Sequence, residues 1–312
     1  MLGSVVDSTG LTLRRRSECR AGEPEAVRLA SGRTLPLDSG PLVMGVLNIT
    51  PDSFSDGGLW LDPAAAVEHG VAMAAAGADL LDLGAESTRP GGGVYGRGAA
   101  TVPPEEELAR LLPVLEALRR RCDIALSVDT RKARVAEAAL TAGADLVNDI
   151  SGLEDPEMAG VVAAAGAPLV IMHSRGELAN MQDEIHFADV VREVGKELVD
   201  AAGRAEAAGV APDRIFLDPG IGFGKTLDQN LGLLRHLDQL DNTGYPLVVG
   251  ASRKSFIGAV TAVAVADRLP GSLAAAAWAA RHRAAMVRVH DVAATRQFLD
   301  VWHAIDTAES GS

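Results

Sequence analysis

Four polar side chains stand at or just past the ends of separate apolar runs. Asp129 closes IALSVD, Asn148 lies in DLVND, Asp218 in RIFLDP, and Lys254 follows PLVVG by a few residues. A carboxylate accepts two parallel hydrogen bonds from an N–C–NH2 edge, and a buried lysine donates to a ring carbonyl or nitrogen. Brought together, the set therefore suits a flat heteroaromatic ligand. Each residue alone has a plainer explanation, since Asp and Asn commonly cap the helix after a strand. That explanation is preferred for Thr130 in SVDTRK and Asp155 in EDPEM. It serves the four less well, because charges converging on one mouth are costly unless they meet each other or a ligand.

A second set is rich in donors. Asn48, Arg89, Arg288 and His290, with Ser and Gly amides nearby, resemble a seat for a phosphate or pyrophosphate. The bland alternative for Arg288 is pairing with a neighbouring acid. Two long loops also carry polar clusters, TPDSFSDGGLWLD after the first run and AESTRPGGGVYGRGAATVPP after the second. A plain connector does not need such side chains, so the two are read as lids rather than linkers. Other chemistries find no support. His173 in IMHSRG and His290 in RVHDV belong to different runs, no Ser or Cys stands in a nucleophile-elbow context, and GFGKT lacks the first glycine and spacing of a P-loop.

Periodicity supplies the frame that must position these residues. Apolar runs begin at Val43, Asp79, Ile124, Asp145, Pro168, Arg214, Pro246 and Met286, separated by segments of helical spacing such as PAAAVEHGVAMAAAGA and PEEELARLLPVLEALRRR. Eight strand-then-helix units predict an α/β fold, a closed (β/α)8 TIM barrel, because open doubly wound sheets more often hold about five or six strands. In a barrel the βα loops gather at the C-terminal strand ends, where the polar residues fall. VRLASGRTLPL reads as an N-terminal hairpin with a Ser-Gly turn, placed to plug the barrel floor. The expected organisation is a flexible extension over 1–26 and one barrel domain over 27–312.

Composition narrows the classes. The chain has 312 residues, 47% hydrophobic and 23% charged, with 33 glycines, as in a soluble α/β protein with an ample core. A formal charge of -13 argues against general affinity for nucleic acid or anionic membrane, so any anion site is local. Cys19 and Cys122 lie far apart, which indicates neither a disulfide framework nor a zinc cluster and fits a reducing cytoplasm. No apolar run approaches the roughly 20 residues of a membrane span. LRRRSECR stands where a signal peptide would place its apolar centre.

The motifs MGVLNITPDSFSDGG, GAESTRPG, SVDTRK, NDISG, MHSRG, DPGIGFGKT, GASRKSFIG, GSLAAA and RVHDV occur in this order over residues from about 27 to about 303. As a set they resemble the bacterial dihydropteroate synthases, folate-pathway enzymes targeted by sulfonamides. The resemblance implies condensation of 6-hydroxymethyl-7,8-dihydropterin diphosphate with p-aminobenzoate, with release of pyrophosphate. It implies that Asp129, Asn148, Asp218 and Lys254 bind the pterin, with Ile150 and Met172 as apolar walls. Asn48, Arg89, Arg288 and His290 would form the pyrophosphate end, with Asn48 the contact to a Mg2+ cofactor. Phe54, Thr88, Pro90, Phe223 and Ser252 would shape the p-aminobenzoate pocket. Asp129, Lys254, Arg288 and Asp56 are the residues expected to act in catalysis. Members of the family are commonly dimers through C-terminal helices, and GSLAAAAWAAR and ATRQFLDVWHAI would serve here. Departures include a lengthened second loop and Ser174 where Met is common. A pterin-binding methyltransferase domain or a catalytically silent homologue are the competing readings; SFSDGG and STRPG oppose the former, since a methyl donor has no diphosphate to seat.

Overall fold

Residues 25–38, 40–50, 63–87, 101–176, 181 and 185–308 are described by a computed structural model. After a short antiparallel pair, β1 (Ala26–Arg28) and β2 (Thr34–Pro36), every apolar run forms a strand. These are β3 (Leu42–Asn48), β4 (Leu80–Gly84), β5 (Ala125–Asp129), β6 (Leu146–Asp149), β7 (Leu169–Met172), β8 (Ile215–Asp218), β9 (Val248–Val249) and β10 (Met286–Val289). They pair in parallel in the order β8-β7-β6-β5-β4-β3-β10-β9. The sheet edges meet at a bridge between Leu217 and Leu247, with the Leu217 N–H donating to the Pro246 carbonyl at 3.0 Å. This is the expected (β/α)8 barrel.

Helices follow the strands: α1 (Pro63–Ala75), α2 (Pro104–Arg121), α3 (Ala133–Thr141), α4 (Met158–Ala165), α5 (Val190–Ala207), α6 (Leu227–Arg235), α7 (Leu237–Asp241), α8 (Ser255–Thr261), α9 (Leu269–Arg281) and α10 (Val292–Asp306). Helix α2 shows why such segments coil. Pro104 opens it, Glu105, Glu106 and Glu107 lie in its first turn and Arg119, Arg120 and Arg121 in its last, matching the helix dipole at both ends. Thr226 and Gln229 form a capping box at the start of α6. The expected cap at Thr130 is not found: α3 has Lys132 at its cap position without a side-chain cap, and Thr130 Oγ1 accepts from the Lys132 N–H at 3.3 Å in a local turn. Asp155 reaches across instead, accepting from the Ala133 N–H at 2.8 Å and the Glu157 N–H at 3.0 Å.

Strand alternation sorts the side chains. One set, including Val43, Leu47, Leu81, Leu83, Leu126, Val128, Ile171 and Leu217, is buried against the helices. The alternate set fills the barrel. Its lower members, Met44, Leu80, Leu146, Val170, Phe216, Val248 and Met286, form a separate apolar cluster with Val27, Leu29 and Leu35 of the β1–β2 hairpin. The hairpin therefore plugs the floor, turning at Gly32, whose φ of +85° is left-handed. Residues 1–24 of the expected flexible extension lie outside the described residues. Among the described residues, no helix is long and apolar enough to cross a membrane.

Candidate active site

Two residues beyond the apolar floor, the inward positions change character. Asp82 on β4, Ser127 on β5 and Asn148 on β6 follow Leu80, Ala125 and Leu146, and Arg288 on β10 follows Met286. Asp82 is fully buried and is the hub of this level. Its Oδ1 accepts from Ser127 Oγ at 2.6 Å, and its Oδ2 from Asn148 Nδ2 at 2.9 Å and Arg288 Nε at 2.6 Å. Arg288 Nη2 donates to Asp129 Oδ2 at 2.6 Å. Such charge-assisted bonds offset the cost of burying two carboxylates and a guanidinium. Burial works against the Arg288 charge, but Asp82 and Asp129 outweigh it and raise its pKa further.

Asp129 is held from one side only. Its Oδ1 is buried and has no hydrogen-bond partner among the described residues. An unsatisfied buried acceptor of this kind costs roughly 1–3 kcal/mol, more for a charged group, and awaits a donor. Burial pushes the Asp129 pKa up to about 7 against the pull of Arg288, with Asp82 adding to the rise. Asp218, at the end of β8, has Oδ1 fixed by the Gly220 N–H at 2.7 Å. Burial raises its pKa too, against Lys254. Gly84 and Gly250 keep the space before these acids open: a Cβ at either would stand 3.6 Å from Asp129 Oδ2 or Asp218 Oδ2.

Lys254 closes the other side, donating to the Ile221 carbonyl and standing 4.4 Å from the centre of the Phe223 ring. Burial lowers its pKa to about 8, while Asp218 favours the charged form. Phe223 belongs to a small apolar cluster with Ile150, Met172 and Met181. The mouth thus offers acids and an amide beside an apolar wall, as a planar heterocycle requires. Ser252 bridges to the rim: its Oγ accepts from the His290 N–H at 3.2 Å and lies 3.1 Å from His290 Nδ1. Burial, then Arg288, hold His290 down at about 4, so the imidazole is neutral at neutral pH.

The structure brings together Asp129, Asn148, Ile150, Met172, Asp218, Phe223, Ser252, Lys254, Arg288 and His290, and Asn48 ends β3 as an exposed residue on the same face. Arg288 sits deeper than a rim cation, with two of its three guanidinium nitrogens engaged by Asp82 and Asp129. Phe54, Asp56, Thr88, Arg89 and Pro90 lie outside the described residues. Sequence reasoning missed Asp82, although period-2 alternation through Leu80, Asp82 and Gly84 places it inward.

The family model described as pterin binding enzyme matches residues 44–290. The chain is similar to the dihydropteroate synthase of Escherichia coli (strain K12), 43% identical over 280 residues covering 90% of this chain and 96% of that protein. It resembles the Xanthomonas albilineans dihydropteroate synthase structure with 4-aminobenzoic acid, with a TM-score of 0.83 at 45% identity, covering 91% of this chain and 99% of that one. A structure of the enzyme from the same organism in complex with 7,8-dihydropteroate gives a TM-score of 0.78 at 39% identity, covering 92% and 100%. The chain belongs to the dihydropteroate synthase family of pterin-binding enzymes.

Proposed function

We propose that the protein joins 6-hydroxymethyl-7,8-dihydropterin diphosphate to p-aminobenzoate, giving 7,8-dihydropteroate and pyrophosphate. The observation that carries this reading is the orphaned Asp129 Oδ1, set among Asn148, Asp218 and Lys254. A pterin presents ring N–H and exocyclic NH2 donors on one edge, which would satisfy the acids, while its ring carbonyl or nitrogen accepts a hydrogen bond from Lys254. Ile150 and Met172 supply flat apolar contact to the pterin, and Phe223, packed beside them, forms a wall of the p-aminobenzoate side. The relatives bound to 4-aminobenzoic acid and to 7,8-dihydropteroate support the identity of the second substrate and the product.

The chemistry is displacement at the pterin methylene. Its C–O bond to the diphosphate breaks, the arylamine nitrogen forms the new C–N bond, and one amine proton is lost to solvent. An arylamine is neutral and nucleophilic near pH 7, so the residues chiefly handle charge. Asp129 and Asp218 steady the electron-poor pterin as the C–O bond loosens. At the leaving-group end the neutral His290 donates through Nε2–H, while Arg288 Nη1 and Arg89 add positive charge. Ser252, with Phe54, Thr88 and Pro90, completes the p-aminobenzoate side, and Asp56 acts from the first loop.

Mg2+ fits this arrangement. Among the described residues no group of three His, Cys, Asp or Glu side chains could hold a metal by itself. A hard cation that binds through one protein oxygen, the substrate phosphates and water suits the Asn48 amide oxygen at the strand end. When bound, Mg2+ neutralises charge on the departing diphosphate. A cytoplasmic homodimer is also proposed, paired through α9 and α10, where Trp278, Val301 and Ile305 are exposed. The deciding experiment is pyrophosphate release from the pterin diphosphate. Release that requires both p-aminobenzoate and Mg2+ is expected; equal release without p-aminobenzoate would identify a diphosphatase instead.

A further inference from the structure

The GFGKT segment, which fails as a P-loop, builds something else. After β8 the chain coils through Gly220, Gly222 and Gly224, with φ of +65°, +86° and +59°. The coil lies directly on the backbone of residues 173–175. A Cβ on Gly220 would collide with the His173 carbonyl oxygen, and one on Gly224 would stand 2.7 Å from that of Arg175. Its carbonyls divide between two lysines. Ile221 accepts from Lys254, whereas Gly220 and Phe223 accept from Lys225 Nζ at 3.0 and 2.8 Å.

Lys225 is 3% exposed, and Nζ also lies 3.0 Å from His173 Nδ1 and 3.4 Å from the His173 carbonyl. An ammonium has donors and no lone pair, so at 3.0 Å it can only donate to His173 Nδ1, which carries a lone pair. The ring proton then sits on Nε2, facing Glu197 Oε2 at 3.0 Å. The opposite tautomer would set two lone pairs against each other at Glu197. Burial, then Lys225, holds His173 down at about 3, in keeping with a neutral ring. Burial, then Lys254, lowers Lys225 to about 7, with Arg175 acting alike and Asp218 and Glu197 opposing. A ring of acceptors offers nothing to the lone pair of a neutral amine. Asn230 fastens the same coil from behind, accepting from the Gly222 N–H at 2.6 Å.

We propose that Lys225 is a positioning residue for the second substrate, gathering the Gly220 and Phe223 carbonyls and the His173 ring at one point. It thereby fixes Phe223 as a wall of the p-aminobenzoate site and the Ile221 carbonyl beneath Lys254. This assignment rests on the function proposed above. Asp129 and Asn148 stand on strands away from the coil, whereas Asp218 Oδ1 and Lys254 each share one hydrogen bond with it and Phe223 lies on it. When the coil slackens, p-aminobenzoate binding therefore responds more strongly than pterin binding.

The test is Lys225→Met in the pyrophosphate-release assay, with calorimetry of the pterin diphosphate alone. The KM for p-aminobenzoate rises roughly tenfold, while pterin diphosphate affinity stays within about threefold. A role in stability alone would lower the active fraction and leave that KM unmoved, which would overturn the proposal. The wild-type protein gives a second reading that does not depend on the variant folding. Nitrogen-15 NMR shows His173 as the neutral Nε2–H tautomer from pH 5 to 8; a ring protonated on Nδ1 would also overturn the proposal. An active wild type with an unshifted variant refutes the positioning role alone, whereas a silent wild type refutes the functional reading.

Discussion

The floor and the mouth of the barrel are built from the same strands, two residues apart, and obey opposite rules. At the floor Met44, Leu80, Val170, Phe216 and Met286 meet the hairpin's Val27, Leu29 and Leu35 with no polar side chain among them. At the mouth Asp82, Asn148 and Asp129 are buried too, with Arg288 half-buried beside them, but they are joined by directed bonds, and Asp129 Oδ1 is left open. Apolar contact is non-directional and needs only volume. Buried charge needs named partners, so the mouth is specific where the floor is merely stable.

Substitutions can break or sharpen this contrast. Arg288→Ala strands two carboxylates in the interior and costs about 3–5 kcal/mol of stability, together with turnover and pterin affinity. Because Arg288 holds Asp129, both functional losses occur together; intact pterin binding by calorimetry would detach the arginine from the pterin site. Phe216→Ala costs a similar amount, about 3–5 kcal/mol by denaturant unfolding, from the cavity it leaves. Here KM for both substrates is unchanged in the remaining folded enzyme, and a raised KM would show that the floor and mouth are coupled.

Asp129→Asn turns an acceptor into a group whose NH2 opposes the pterin NH2, weakening binding by roughly 1.5–3 kcal/mol by calorimetry. In the wild type, pterin affinity rises as Asp129 loses its proton through about 7 and falls as Lys254 loses its own through about 8; the acidic limb disappears in Asp129→Asn. Stability runs the other way. A carboxyl whose folded pKa is raised from 3.8 to about 7 stabilises the fold below pH 3.8 and loses that contribution as pH climbs to about 7. The variant therefore gains on the wild type across that window, and parallel stability curves would argue against a raised pKa. The smallest effect is Ser127→Ala, which removes one of three donors to Asp82 and lowers stability by about 1 kcal/mol with KM unaltered.

Much of this was legible in the sequence. The runs from Val43 to Met286 mark all eight strands, because doubly buried strands are continuously apolar and helices intervene. Asp129, Asn148, Asp218 and Lys254 were found because each ends such a run or follows it within a few residues. Asp82 was missed because it sits inside one, where its partners on three other strands appear only on closure. Arg288 was expected at the pyrophosphate end, with pairing to an acid as the alternative, and it does pair, with Asp82 and Asp129, since sequence gives the residue and not the depth at which its guanidinium comes to rest. Lys225 was hidden for another reason: a glycine coil displays its carbonyls, and no side-chain pattern records where carbonyls converge.

The barrel is sewn most lightly between β8 and β9. There the edges share the Leu217–Leu247 bridge, and β9 itself spans two residues. Asp218 and the glycine coil hang from one side of this seam, Ser252 and Lys254 from the other. A ring with one loose stitch can breathe at that place while the rest stays taut, so amide protons near Leu217 and Leu247 should exchange ahead of those on β3, β4 and β5. Both substrate sites thus border the stretch of wall held by the fewest backbone bonds.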